Sequence, residues 1–303
     1  MQNAITTPTS SLRLPPLILA CLAATWLIWG STYLAIRFAL AGFSPFVLMG
    51  SRFVVAGGVL LAWMRLRRAA MPNWIEWRNA AIVGSLMLGC GMGGTAVAEQ
   101  TVGSGIVVAF IAVTPILMVV LSTAFGVYPR GNEIIGVLVG LAGVLMLTQG
   151  AGFKASSAGL AAMVIACSGW SAGSVLSQRR FPLARGATGY ASQMLCGGLA
   201  LLALALVRGE PLSMSAPPVA WLAWLYLTTF GSLVAFNAYM YLLSRASPSL
   251  ASSYTYVNPV IAMLLGVAIG GERIAGWEWL SASVTLAGVV ILFLSRSRKG
   301  AAT

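Results

Sequence analysis

Long runs of apolar residues dominate the chain, and short polar segments separate them. A helix needs about 20 apolar residues to cross a bilayer, and these runs are continuous rather than alternating, which favours helices over the strands of a barrel. The pattern therefore predicts an all-α integral membrane protein with ten transmembrane helices. The predicted spans lie near residues 16–39, 45–64, 79–99, 103–124, 134–150, 157–178, 188–208, 219–243, 248–270 and 276–295.

Composition agrees with this pattern. Of the 303 residues, 59% are hydrophobic and only 8% are charged, and the mean hydropathy is +0.90. A soluble domain carries about 25% charged residues, so the composition excludes an ordinary soluble protein. The connections between runs are mostly five to fourteen residues long, which is too short for a separate soluble domain.

The distribution of Lys and Arg predicts the orientation in the membrane. If the N-terminus is cytoplasmic, the loops on that side carry 13 of the 18 basic residues, the opposite loops carry three, and Arg37 and Arg52 lie within spans. Because cytoplasmic loops are enriched in Lys and Arg, both termini are expected in the cytoplasm. The basic residues form no continuous face, so the net charge of +12 does not indicate a nucleic-acid partner.

Missing residue types exclude several classes of chemistry. The chain has no His and no Asp, so it cannot assemble a Ser-His-Asp triad or an aspartyl dyad. Its four cysteines are scattered singly, which does not fit a zinc site, and no nucleotide-binding loop of the GxxxxGK[ST] type occurs. We therefore expect neither an enzyme nor a resident metal or cofactor.

The two halves of the chain resemble each other. LAGVLML at 141–147 matches LAGVVIL at 286–292, and Trp29 corresponds to Trp170 at a nearly equal offset. These matches predict a duplicated five-helix unit, with a first repeat over 1–150 and a second over 151–303. Because five is odd, the second unit enters the membrane from the opposite side, and such inverted repeats are typical of transporters with alternating access. The first repeat includes a polar tail at 1–15, and the second ends in a basic tail at 296–303.

Several segments resemble a known family. IWGSTYLAIR (28–37), NAYMYL (237–242) and SPSLASSYTYVNP (247–259) are similar to the EamA-type branch of the drug/metabolite transporter superfamily, over nearly the whole chain. The second and third segments look especially like bacterial exporters near the aromatic amino-acid exporters. The resemblance implies a ten-helix exporter of the bacterial inner membrane with a cavity between its halves. One departure is Tyr128, which occupies the position that Glu272 has in the second repeat.

One face of the first span combines aromatic rings with a cation. Trp29, Tyr33 and Arg37 recur at helical spacing, so they share a face. Such a face suits amphipathic zwitterions, since the rings can stack on a side chain while Arg37 attracts a carboxylate. The alternative is that the rings belong to an interfacial belt and that Arg37 extends toward the headgroups.

Arg52 and Glu99 are the second candidate pair. Arg52 lies about seven residues inside the second span, a depth that is costly without a partner. Glu99 is a carboxylate at the end of the third predicted span and falls in the same outer half. We expect Glu99 to pair with Arg52 or Arg37 and to shape or gate the outer vestibule; an exposed interfacial Glu is the alternative.

Polar and aromatic residues on later spans are further cavity candidates, because uncharged polar groups in hydrocarbon usually face a neighbouring helix or a water-filled cavity. For span nine, the face of Ser252 and Tyr256 competes with that of Tyr254 and Asn258. The candidates on spans six, eight and nine are Trp170, Ser174, Asn237, Tyr241, Tyr254 and Asn258.

Two prolines occupy matching places in the repeats. Pro115 follows Thr114 in span four, and Pro259 follows Asn258 in span nine. A proline removes an amide donor and kinks a helix, so the pair predicts symmetric hinges. Fixed bends that only shape the bundle are the alternative.

Together these patterns predict an inner-membrane exporter of small metabolites, most of all amino acids including aromatic ones, working by alternating access. A drug or lipophilic-cation exporter is one alternative, and a non-transporting membrane scaffold is another. The expected partners are a small-molecule substrate and the lipid bilayer. A monomer is plausible, and the sequence leaves open the oligomeric state and the choice between proton-coupled and facilitated transport.

Overall fold

A computed structural model describes residues 15–102, 107, 110–148, 156–211, 215–270 and 276–297. Within those ranges the chain is helical and contains no β-strand, and a single turn of helix, Pro248–Ala251, precedes the ninth helix. We number the helices of the described ranges as follows: α1 Pro16–Leu40, α2 Pro45–Leu66, α3 Trp74–Ala98, α4 Thr114–Thr123, α5 Gly131–Thr148, α6 Ser157–Arg179, α7 Ala187–Val207, α8 Pro218–Arg245, α9 Tyr254–Gly270 and α10 Gly276–Ser297.

Six of these helices, α1, α2, α3, α6, α7 and α8, are long and apolar enough to cross a membrane. Shorter apolar helical stretches lie at Thr114–Thr123, Gly131–Met146 and Trp279–Leu292. The all-helical membrane class is therefore confirmed, whereas the count of ten spans stays a prediction. Most of the two predicted tails lies outside the described residues.

Local chemistry explains where the long helices begin. A proline stands in the first turn of α1, α2 and α8, where its missing N–H costs nothing. The α3 helix begins with a reciprocal capping box: the Glu76 amide donates to the Asn73 side chain at 3.0 Å, and the Asn73 amide donates to Glu76 at 2.8 Å. The Glu210 carboxylate accepts the first amides of α2, from Phe46 and Val47, at 3.0 and 3.1 Å.

Two long helices change their winding in the middle. Ser85–Gly93 within α3 and Leu227–Phe236 within α8 are π-helical, and each is continuous with α-helix on both sides. A π-helix shifts the hydrogen bonds to i→i+5 and commonly marks a functional region. Hydropathy carries no signal for this change, because the apolar run continues through it.

Glycines allow two helix pairs to approach closely. The α2 helix packs along α7, and α5 packs along α10. A Cβ added at Gly57 would lie 2.7 Å from the Leu195 amide nitrogen across the first pair, and one added at Gly288 would clash with the Gly140 backbone across the second. Helices in lipid associate through such close backbone contact, since no water is released there to drive them together.

This packing predicts different effects of the same substitution at two adjacent glycines. Gly57→Ala should lower the thermal midpoint of the purified protein, because overpacking costs about 1–3 kcal/mol. Gly58→Ala is the matched control, since a Cβ at Gly58 meets nothing within 4 Å. Equal midpoints for both variants in a fluorescence melting assay would contradict the close approach of α2 and α7.

Candidate functional site

A narrow cavity of about 60 Å³ lies at the centre of the molecule. Helices α1, α2, α3, α4, α6 and α9 all contribute to its wall, as does the segment that precedes α4, so both halves of the chain enclose it. The lining residues are Trp29, Thr32, Tyr33, Ile36, Arg52, Gly91, Met92, Thr95, Ile111, Thr114, Ala166, Cys167, Trp170, Tyr254 and Asn258.

Four aromatic side chains form a cluster at one side of this cavity. The rings of Trp29 and Trp170 meet edge to face at 5.6 Å, and Trp29 meets Tyr254 in the same way at 4.7 Å. Tyr239 completes the cluster, at 5.3 Å from Trp29 and 5.2 Å from Trp170. Edge-to-face and tilted contacts at these distances stabilise aromatic groups beyond simple burial. The cluster therefore joins α1, α6, α8 and α9 at one point.

The two tryptophans each contact a glycine in a π-helical segment. The Trp29 indole N–H donates to the carbonyl of Gly231 at 3.2 Å. On the other side, a Cβ added at Gly91 would lie 3.1 Å from the Trp170 ring, so Gly91 provides the room for that indole. The π-helical turns thus shape the cavity wall, which the sequence did not predict.

Arg52 brings a cation to the cavity wall. Its side chain is only 1% exposed, and its Nε and Nη1 atoms have no hydrogen-bond partner. The guanidinium carbon lies 4.4 Å from the centre of the Phe53 ring, a cation–π contact that stabilises the charge. A buried guanidinium with unpaired donors favours an anionic guest, such as a carboxylate.

Asn258 is the second unsatisfied group in the wall. Both its amide oxygen and its amide nitrogen are buried without a hydrogen-bond partner. The Tyr33 hydroxyl is near this amide, but the two groups do not reach hydrogen-bonding geometry. The cavity therefore offers a donor and an acceptor next to a cation and several aromatic rings.

The structure places the Tyr254 and Asn258 face of α9 in the cavity wall. The competing face points elsewhere. The Ser252 hydroxyl donates to the Pro248 carbonyl at 2.7 Å, and the Tyr256 hydroxyl donates to Val137 on α5 at 3.2 Å. Both hydroxyls therefore donate to backbone carbonyls, and neither side chain lines the cavity.

Glu99 follows the last residue of α3. Its Oε1 atom is buried and has no hydrogen-bond partner. Glu99 is close enough to Arg52 and Arg37 to interact electrostatically, but no direct ion pair joins these three described residues. Arg37 is exposed at the end of α1 and does not line the cavity. Arg52 rather than Arg37 is thus the cation that faces the cavity.

Span eight presents a different residue from the two predicted there. Asn237 and Tyr241 do not line the cavity, and Tyr239 lies in the aromatic cluster instead. The Asn237 amide donates at 2.8 Å to Leu233, within the π-helical segment of its own helix, so it needs no guest. Ser174 is also absent from the wall; its hydroxyl hydrogen-bonds the Tyr239 hydroxyl at 2.9 Å and holds that ring in place.

The two prolines differ in their helical setting. Pro115 lies in the first turn of α4, just after a break at residues 112–113, and Pro259 lies inside α9. Each directly follows a residue of the cavity wall, Thr114 or Asn258. Their role as hinges stays a prediction.

Known proteins share this architecture. The sequence pattern of the EamA-like transporter family matches residues 14–149 and 157–294, which fall within the two predicted halves. The chain belongs to the EamA-like transporter family. It is 39% identical to an uncharacterized inner membrane transporter, YedA, of Escherichia coli (strain K12), over 92% of this chain and 91% of YedA. It is 29% identical to an uncharacterized transporter, sll0355, of Synechocystis, over 89% and 88% of the two chains.

A crystal structure of a protein at 24% identity has the same fold, with a TM-score of 0.76 over 92% of this chain and 98% of that chain. The predicted family resemblance is therefore confirmed. So is the prediction of a multi-pass protein of the bacterial inner membrane. Membership and fold together support a membrane transporter, within which the cavity is the candidate site.

The bonding of Tyr239 predicts a test by paired Tyr→Phe variants. The Tyr239 hydroxyl accepts the Trp170 indole N–H at 3.1 Å and bonds Ser174. Tyr239→Phe should lower the thermal midpoint, since a buried unsatisfied donor costs about 1–3 kcal/mol. In Tyr241→Phe, where the hydroxyl has no hydrogen bond to a described side chain, the midpoint should stay near that of the native protein. A Tyr239→Phe midpoint equal to that of Tyr241→Phe would refute this assignment.

Proposed function

We propose that the protein exports amino acids, including aromatic ones, from the cytoplasm by alternating access through the central cavity. One observation carries this proposal: a buried guanidinium with unpaired donors, that of Arg52, lies in the wall of an aromatic-lined cavity. Arg52 would bind the carboxylate, and the rings of Trp29, Trp170 and Tyr254 would receive the side chain. Asn258 would bind the amino group through its amide oxygen.

The same cation argues against a lipophilic-cation exporter. A positive guest in a desolvated cavity would be repelled by Arg52, and the carboxylate of Glu99 is not part of the wall. A scaffold without transport would gain nothing from unpaired Arg52 and Asn258 groups in its core, because such groups cost stability.

Helix packing supports the inverted arrangement of the two halves. The α2 helix packs on its counterpart α7, and α5 packs on its counterpart α10. The α1–α9 contact has an equivalent in α6–α4 under exchange of the halves. The contact of Trp29 with Gly231 is matched by that of Trp170 with Gly91, and the π-helical segments lie in counterpart helices, α3 and α8. Equivalent contacts of this kind allow two arrangements of similar energy, open to opposite sides.

Transport would require the cavity to widen. Ligand pockets for drug-sized molecules have volumes of roughly 300–1,000 Å³, well above the 60 Å³ found here. The regular α-helical hydrogen bonds are interrupted at four places. These are the break before Pro115, the interior Pro259 and the two π-helical segments. We place the opening movement at these points. The glycine-lined pairs α2–α7 and α5–α10 would stay intact, because their backbones are in close contact.

The inverted arrangement predicts opposite labelling of equivalent loops. Ala41 follows α1, and Arg180 follows α6; both are exposed. In cells, a membrane-impermeant maleimide added outside should label Ala41→Cys and should not label Arg180→Cys until the membrane is permeabilised. The four native cysteines would first be replaced. Labelling of both positions from the same side would rule out the inverted topology.

The substrate assignment predicts carboxylate-dependent exchange. Proteoliposomes loaded with L-phenylalanine should accumulate labelled L-phenylalanine by counterflow, whereas L-phenylalaninamide should not compete. Arg52→Gln should lower the rate at low substrate by about tenfold or more, the value of a charge-assisted hydrogen bond. Arg52→Lys should retain part of the rate. Arg37→Gln is the matched control and should change it by less than about threefold, because exposed charges contribute little.

Two results would contradict this proposal. Wild-type vesicles that accumulate no amino acid from a broad panel would exclude the amino-acid assignment, and uptake of a lipophilic cation by the same vesicles would favour the drug-exporter alternative.

Counterflow that persists with no proton gradient and at several pH values indicates facilitated export. Strict dependence on an imposed proton gradient indicates coupling instead, and Glu99 is the first carboxylate to test.

A further inference from the structure

A second, roomier chamber lies at the end of the molecule where α4 ends and α5, α6 and the Pro248–Ala251 turn meet. Its volume is about 290 Å³, almost five times that of the central cavity. Its wall includes Ser122, Tyr128, Arg130, Glu133, Arg179 and Ser249. We call this chamber the inner vestibule, because the distribution of basic residues places its loops in the cytoplasm.

The polar groups of the inner vestibule favour an anion. Arg130 and Arg179 bring two positive charges against the single negative charge of Glu133, whose carboxylate already accepts the Arg130 amide at 3.3 Å. The Arg179 side chain is exposed at the end of α6 and forms no hydrogen bond or ion pair with a described residue. The charge balance is therefore positive, and one guanidinium is available to a ligand.

Ser249 provides an independent sign of a ligand. Its side chain is only 1% exposed and lies in the wall of the vestibule, yet its hydroxyl has no hydrogen-bond partner. A buried hydroxyl without a partner costs free energy, so such groups usually serve a guest or an ordered water. A carboxylate bound to Arg179 would supply the missing acceptor.

The inner vestibule lies on the same helices as the central cavity. Thr114 lines the cavity and Ser122 lines the vestibule, eight residues or about 12 Å further along the same helix. Between these levels the Tyr239 hydroxyl lies 3.7 Å from the Met118 sulfur and 2.9 Å from the Ser174 hydroxyl. Tyr239 is fully buried there, so this layer closes the route from the vestibule to the cavity.

We propose that the inner vestibule is a loading site, where Arg179 and Ser249 bind the carboxylate of a cytoplasmic substrate before Tyr239 lets it pass to Arg52. This inference rests on the proposed function for the identity of the substrate. A carboxylate would then meet a guanidinium at each of two successive levels, first that of Arg179 and then that of Arg52. The vestibule selects acids over amides and retains them at the cytoplasmic end.

A cysteine-protection experiment tests the loading site without measuring transport. In a chain whose native cysteines are replaced, Tyr128→Cys in everted vesicles should react with a membrane-impermeant thiol reagent, because Tyr128 lies in the vestibule wall and is 76% exposed. L-Phenylalanine should slow that reaction, and L-phenylalaninamide should not. Adding Arg179→Gln or Ser249→Ala should raise the concentration for half protection by about threefold to fivefold, the value of a solvent-exposed ion pair or of one neutral hydrogen bond. Adding Arg180→Gln, an exposed neighbour outside the wall, should leave it unchanged.

The outcomes separate this inference from the proposed function. Val127→Cys, in the same wall, serves as a second reporter if Tyr128→Cys does not fold. Active counterflow without protection at either position would overturn the loading site and leave amino-acid export standing. Equal protection by the amide, protection by inorganic phosphate alone, or equal effects of Arg179→Gln and Arg180→Gln would also overturn it. Failure of counterflow in wild-type vesicles would refute the proposed function instead.

Discussion

A polar group inside a bilayer has no water to bind, so the protein must supply its partner or bear the cost. The chain satisfies most such groups within its own helices, as Asn237 does through the Leu233 carbonyl. It leaves Arg52 and Asn258 unsatisfied in the wall of one central cavity. A polar ligand gains most binding free energy at such groups, because it supplies the hydrogen-bond partners that Arg52 and Asn258 lack. This constraint links the membrane environment to the candidate site.

The aromatic cluster gives the two halves a common centre. Trp29 and Trp170 occupy matching positions in the two halves, and their rings meet edge to face. Each also contacts a π-helical glycine from the opposite half, Gly231 or Gly91. A movement of one half relative to the other must therefore rearrange these contacts together.

Stiff and deformable parts alternate in the structure. The α2–α7 and α5–α10 pairs have glycine-mediated backbone contacts that tolerate no added atom without a shift. In contrast, the π-helical segments of α3 and α8, and the prolines of α4 and α9, interrupt the regular ladder beside the cavity. Packed interfaces move between discrete arrangements rather than deforming continuously. Under the proposed alternating access, the interrupted helices beside the cavity would move while the glycine-packed pairs stay together.

Hydrophobic length and motif spacing were enough to predict the membrane class, the approximate positions of the six long helices and the family, because both are properties of the chain alone. The sequence also identified Trp29, Tyr33, Trp170, Tyr254 and Asn258, which the structure places in the cavity wall. The folded structure was needed to show that Arg52 rather than Arg37 faces the cavity, and that Tyr239 rather than Asn237 or Tyr241 joins the aromatic cluster from α8. The reason is geometric: a π-helical segment shifts the phase of every following side chain, and which helix face meets the other half depends on packing that no single segment encodes.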